Sequence, residues 1–158
     1  MLNILFVCMG NICRSPAAEA IMEKIVNEEK LSDKINCDSA GTIGYHEGEK
    51  ADKRMITHAA NRGINITSIS RKIRPDDLMK FDYIVAMDDD NLKNIFNIDS
   101  SGIFRKKIFK ITQFSSDKRV KEVPDPYYGG SQGFENVLNI LEDSCKNFLS
   151  FIKKENEM

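Results

Sequence analysis

The chain opens on an almost unbroken apolar run, Leu2 to Val7, interrupted only by Asn3. A run this short that does not alternate predicts a strand buried on both faces of a parallel sheet. The period then changes. Ala18, Ile21, Met22, Ile25 and Val26 fall at helical spacing, with Ser15 expected as the cap and Pro16 at the first helical position. Ile35 to Ala40 predicts a second strand ending in Ser39-Ala40-Gly41-Thr42, and Lys50 to Arg62 a helix stopped by Gly63. Phe81 to Met87 predicts a third strand. Asp88-Asp89-Asp90 then places acid at a helix start, followed by the apolar stripe Leu92, Ile95 and Phe96. Lys107 to Ile111 reads as a fourth strand. Phe134, Val137, Leu138, Leu141, Cys145, Phe148, Leu149 and Ile152 make a long amphipathic closing helix. Thr112 to Gln132 carries no period, and an aperiodic stretch of that length in a small domain is commonly functional.

Strand alternating with helix implies an α/β fold, a mostly parallel sheet covered by helices on both faces. No repeat, linker or low-complexity segment divides residues 1–158, so a single domain is expected. Charge changes the picture by exclusion. Lys and Arg number 23 against 24 Asp and Glu, which argues against nucleic acid or a membrane surface as the main partner. No stretch approaches a membrane span, and the opening apolar run lacks a basic leader and meets Gly10, Asn11 and Arg14, so no signal peptide is expected. A cytoplasmic location follows, with Cys8, Cys13, Cys37 and Cys145 as reduced thiols. Nine Phe and no Trp give no sign of an unusual exposed patch, and a monomer is expected.

The candidate chemistry lies where the first strand hands over to the first helix. Five residues separate Cys8 from Arg14 in Cys-Met-Gly-Asn-Ile-Cys-Arg-Ser-Pro, enough for one loop to turn its N–H groups onto an anion with Arg14 closing the ring. In α/β sheets ligands bind beyond such strand ends. Gly10 and Asn11 suit the left-handed or closely approached backbone of an anion nest, and the planar guanidinium of Arg14 can hold two phosphoryl oxygens. A free thiol has a pKa of about 8.5, so a nucleophile here needs several effects together: loop N–H groups, the helix start, the Ser15 hydroxyl and the Arg14 cation. Expelling an alkoxide or phenoxide also needs an acid opposite the sulfur. Asp125 fits, in the aperiodic segment between Pro124 and Pro126 and beside Tyr127 and Tyr128. The plainer reading of Asp-Pro is a turn, and that of the tyrosines half-buried packing.

These residues resemble the low-molecular-weight protein tyrosine phosphatase family over nearly the whole chain. The resemblance implies four parallel strands with the phosphate-binding loop after the first, and hydrolysis through a phosphocysteine intermediate without metal or other cofactor. It implies Cys8 as nucleophile, Arg14 as phosphoryl ligand and Asp125 as general acid, then base. Asn11, Ser15 and Ser39 match positions that hold the loop and thiolate. Met9, Ile12, Tyr45, His46, Tyr127 and Tyr128 match the walls and rim of the substrate slot, and Gly10 and Cys13 belong to the loop itself. Ser68, three before Arg71, departs from the pattern, since many relatives carry there a His that supports the loop Asn. Expected partners are phosphotyrosine proteins, with phosphate, sulfate or vanadate as inhibitory anions.

Other readings compete. Arsenate reductases share fold and loop but relay a disulfide through further cysteines, whereas Cys37 and Cys145 read as core residues and none lies between 38 and 144. Protein-arginine phosphatases tend to carry Thr where Ile12 stands, and a branched apolar wall suits a phenyl ring better than a guanidino group. A non-catalytic phosphate-binding module has no need of both Cys8 and Asp125. A zinc site from Cys8, Cys13, His46 and His58 matches no common ligand spacing. Cys13 beside Cys8 also suits reversible capture of an oxidised thiol, or plain loop packing.

Overall fold

The computed structural model describes residues 1–158 except Tyr128. Strand β1 (Leu2–Cys8) lies inside a four-stranded sheet of order β2-β1-β3-β4, with β2 Ile35–Gly41, β3 Tyr83–Ala86 and β4 Ile108–Lys110, and every pairing is parallel. That position accounts for the unbroken apolar run. Ile4, Phe6 and Cys8 join one core, beneath helices α1 (Arg14–Glu28) and α5 (Gly130–Glu155), while Leu5 and Val7 join the other with Ile73, Leu78, Ile84 and Ile95. With both faces buried, alternation along β1 selects between two cores rather than between core and water. Phe6 meets Phe148 of α5 edge to face at 6.3 Å, both fully buried, so truncating either side chain costs about 3–5 kcal/mol.

The remaining helices are α2 (Lys53–Ala60), α3 (Asp77–Lys80) and α4 (Asp89–Ile98). Several boundaries differ from those expected. Helix α1 begins at Arg14 with Cys13 in the cap position and no side-chain cap. Ser15 is therefore not the cap, because its hydroxyl is engaged in the loop. Helix α2 starts three residues late: Lys50 pairs instead with Ile69 as an isolated bridge, and Asp52 caps the helix by accepting from the Arg54 N–H. It ends before Gly63, which sits at φ +73° after one further turn. Strands β3 and β4 are each trimmed at both ends, and α3, a single turn too short to show a period, was not foreseen. Within Thr112 to Gln132 the chain makes a 3₁₀ turn at Ile111–Phe114, runs irregularly, and enters α5 at Gly130.

Candidate active site

The carboxyl end of β1 delivers Cys8 into a loop whose backbone is held from both sides. Thr42 N–H donates to the Cys8 carbonyl at 2.9 Å, and Ile43 N–H to that of Met9 at 3.1 Å. This close approach requires Gly41, since a Cβ there would stand 2.7 Å from the Met9 carbonyl oxygen. The left-handed position of the loop is Asn11, at φ +57°, a conformation that Asn tolerates better than most residues. Gly10 is not at positive φ; what it supplies is room, since a Cβ would lie 3.1 Å from the His46 ring.

The buried Asn11 amide organises the interior of the loop. Its Nδ2 donates to Ser15 Oγ at 2.8 Å and to Ser39 Oγ at 3.0 Å, and its Oδ1 accepts from the Arg71 N–H at 3.0 Å. Ser15 Oγ lies 3.0 Å from Cys8 Sγ. Because Asn11 occupies a lone pair of Ser15, the hydroxyl proton is free to point at the sulfur, the polarity that favours a thiolate. The Ser39 hydroxyl in turn donates to Glu19 Oε1. Burial raises the Glu19 carboxyl to about 8; the Ser39 hydrogen bond opposes that rise, while Glu23 and Asp38 reinforce it. The Ser70 hydroxyl donates to the Gly10 carbonyl at 3.1 Å. Ser68 has no hydrogen bond to the loop among the described residues, so the support expected of it comes from Arg71 and Ser70.

Arg14 is 3% exposed. Its Nη1 donates to Asp88 Oδ2 and to the Val123 carbonyl, and its Nη2 lies 3.8 Å from Asp125 Oδ2. Burial works against its charge, but Cys8, Asp88 and Asp125 outweigh that and hold the guanidinium above its usual range. Asp88 does two jobs, since its Oδ1 also accepts from the Asn91 N–H and caps α4. Asp125 is 43% exposed, with Oδ1 accepting from the Tyr127 N–H at 3.0 Å. That is the local turn of the plainer reading, and it leaves Oδ2 beside the Arg14 guanidinium at the cavity.

Cys8, Arg14 and Asp125 converge on one cavity of about 310 Å³ also lined by Met9, Gly10, Ile12, Cys13, Tyr45, His46 and Tyr127. Asn11, Ser15 and Ser39 stand behind it, buried. Tyr128 falls outside the described residues. Sequence reasoning missed Ile43 on the wall and Asp88, Ser70, Arg71, Glu19 and Gly41 behind it. It also missed Arg54, whose guanidinium sits 5.3 Å from the Tyr127 ring and 4.8 Å from that of Phe134. The conceivable zinc set is not assembled. His46 pairs with Glu49 at the rim, while His58 stacks on Phe134 and binds Glu135 of α5. Among the described residues no three His, Cys, Asp or Glu side chains are grouped to hold a metal. Cys145 is wholly buried, Cys37 lies half-buried on β2, and neither lines the cavity. Burial, reinforced by Asp52, Cys8 and Asp125, pushes the Cys13 thiol up, so Cys13 is held as a neutral thiol beside the nucleophile candidate.

The family model for low molecular weight phosphotyrosine protein phosphatase matches residues 3–158. A protein of that description from Schizosaccharomyces pombe is 40% identical over 96% of this chain and 97% of its own. A crystal structure of a protein tyrosine phosphatase from Entamoeba histolytica, with Hepes in its active site, is 47% identical over 99% of both chains at a TM-score of 0.92. A Drosophila arginine phosphatase superposes at a TM-score of 0.88 with 32% identity, covering 95% of this chain and 97% of that one. From the full-length match and these identities, the chain belongs to the low molecular weight phosphotyrosine protein phosphatase family.

Proposed function

We propose that the protein hydrolyses phosphotyrosine in proteins, and small aryl phosphates, with Cys8 as nucleophile, Arg14 as phosphoryl ligand and Asp125 as general acid then base. The observation that carries this reading is that Cys8, whose Sγ lies 3.0 Å from the Ser15 hydroxyl, Arg14 and Asp125 line one cavity, with Arg14 Nη2 3.8 Å from Asp125 Oδ2. The thiolate attacks phosphorus, forming an S–P bond as the P–O bond to the aryl group breaks. Asp125 gives its proton to the departing oxygen, then as carboxylate takes one from water, whose oxygen attacks phosphorus and releases phosphate and the thiolate. Negative charge on the transferring oxygens meets the loop N–H groups and an Arg14 already locked by Asp88, so little reorganisation accompanies the reaction.

The walls support an aryl substrate. Ile12 is apolar and branched, and Tyr127 adds a ring beside the acid, which suits a flat phenyl group better than a guanidino group in need of polar partners. Four exposed apolar side chains, Met9, Ile43, Tyr45 and Tyr127, gather at the mouth, a lip suited to a protein rather than a free metabolite. The distance of Cys37 and Cys145 from the cavity supplies no disulfide relay for arsenate. The test is turnover measured side by side on a phosphotyrosine peptide, phosphoarginine, and arsenate with thiol. Phosphotyrosine is expected to dominate, with vanadate and phosphate competing. A preference for phosphoarginine would overturn the argument from Ile12.

A further inference from the structure

The cavity does not end at its own wall. Ile12, His46 and Tyr127 are shared with a second, shallower hollow of about 600 Å³ that runs over the start of α2. Its floor is apolar: Ala51 is buried, and Ile12 and Ile56 are half-buried. Its edge is charged, and the charges are unequally committed. Asp52 is taken by the Arg54 guanidinium, with bonds of 3.1 and 2.9 Å, while Glu49 shares only a hydrogen bond of 3.1 Å with the His46 ring. Lys50 and Lys53 are exposed and have no ion pair among the described residues. The lining therefore sets Lys50, Lys53 and Arg54 against Asp52 and Glu49, one net positive charge, with both lysines exposed above an apolar floor.

A peptide whose phosphotyrosyl ring fills the first cavity leaves it at the lip formed by these shared side chains. An extended chain advances about 3.3 Å per residue, so neighbours one to three positions away fall over the second hollow. We propose that this hollow is a subsite for an acidic side chain flanking the phosphotyrosine, which pairs with Lys50 and Lys53 while its methylenes or an adjoining apolar residue rest on Ala51 and Ile56. The proposal rests on the phosphotyrosine reading above and adds to it the charge of the substrate segment. Neither lysine lines the cavity that holds Cys8, Arg14 and Asp125, so the subsite changes affinity for peptides without changing the chemistry.

The experiment compares kcat/KM for phosphotyrosine peptides carrying two Glu, two Ala or two Lys on either flank, in wild type and in K50E/K53E, with p-nitrophenyl phosphate as the small substrate. Position 53 opens α2, where an acidic residue suits the helix dipole, so the double variant is expected to fold. Wild type should favour the Glu peptide over the Lys peptide by about fivefold on at least one flank, less at high salt, since each exposed pair is weak and screened. K50E/K53E should reverse that order and leave p-nitrophenyl phosphate turnover within about twofold. Normal turnover of p-nitrophenyl phosphate with no charge preference, or a preference that survives in K50E/K53E, would overturn the subsite alone. Failure of wild type on p-nitrophenyl phosphate would overturn the phosphatase reading beneath it.

Discussion

The two halves of the candidate active site are built in opposite ways. In the loop from Cys8 to Arg14 the residues Cys8, Asn11, Cys13 and Arg14 are buried, the backbone is tied to Thr42 and Ile43, and the Asn11 amide makes three hydrogen bonds. Among its described residues the segment carrying Asp125 has no regular strand or helix before Gly130, and its ties include Val123 N–H to the Met87 carbonyl, the Val123 carbonyl to Arg14, the turn from Asp125 to Tyr127, Gly129 N–H to the Pro126 carbonyl and the Arg54 guanidinium over the Tyr127 ring. Rigid donors suit an anion whose geometry is fixed. A proton donor that must later accept a proton from water suits an exposed carboxylate on an irregular segment. Binding and proton transfer should therefore be separable by mutation.

The sharpest way to break that comparison is at its two poles. Cys8→Ser should lower turnover at least about 10⁴-fold, because the covalent step is lost, while Asp125→Ala should lower kcat by about 10²–10⁴-fold. The informative measurement is competition by phosphate. It should remain within about threefold of wild type in Asp125→Ala, since the acid lies outside the nest. A large loss of phosphate affinity there would join the two halves and refute their independence.

Asp88 connects the halves from below. Removing it strands the buried Arg14 without its principal partner, a change of about 3–5 kcal/mol in buried pairs, and deletes the α4 cap, worth about 1 kcal/mol. Asp88→Ala should thus lower the denaturation midpoint and weaken phosphate competition together. Asp88→Asn keeps a hydrogen-bonding side chain and should recover most of the stability but not the phosphate affinity.

Much of this architecture was legible because period is a strong signal. The buried strand β1, the stripe of α5 and the nucleophile loop between strand and helix all follow from spacing and residue type. What stayed hidden depends on contacts between positions far apart in the chain. Asp88 looked like helix-start acid, which it is, and nothing local marks its second oxygen as the anchor of Arg14, 74 residues earlier. Ser15 looked like a cap because Ser before Pro at a helix start usually is one, yet Asn11 and Cys8 claim its hydroxyl. Gly41 looked like a strand end, although its lack of a Cβ is what lets β2 touch the loop. The family departure at Ser68 drew attention to the wrong position, since Ser70 and Arg71 reach the loop two and three residues later.

Glu19 offers a finer probe of the rigid half. Its carboxyl titrates well above the ordinary range, to about 8, because burial and two neighbouring acids disfavour the charge. The folded state therefore binds this proton more tightly than the unfolded state. The associated stability is full below the unfolded carboxyl range and is lost as pH rises toward 8. Wild type should lose thermal stability between about pH 5 and 8 more steeply than Glu19→Gln, which keeps an acceptor for Ser39 and removes the titration. Parallel melting curves for the two proteins across that window would exclude Glu19 as the source.

The smallest expected effect lies at the junction of the Asp125 segment with the body of the protein. Arg54 is sandwiched between Tyr127, at the rim, and Phe134, on the first turns of α5, and is fixed in plane by Asp52. Its guanidinium is half-exposed, and a contact of this kind contributes about 0.5–1 kcal/mol. Arg54→Met fills similar volume without the charge. It should raise KM for a phosphotyrosine peptide by about two- to fivefold through a less ordered Tyr127 wall, with kcat for p-nitrophenyl phosphate nearly unchanged. A fall in kcat of the size seen for Asp125→Ala would mean instead that Arg54 sets the position of the acid, and that the exposed segment is held by its rim rather than by Val123 at its base.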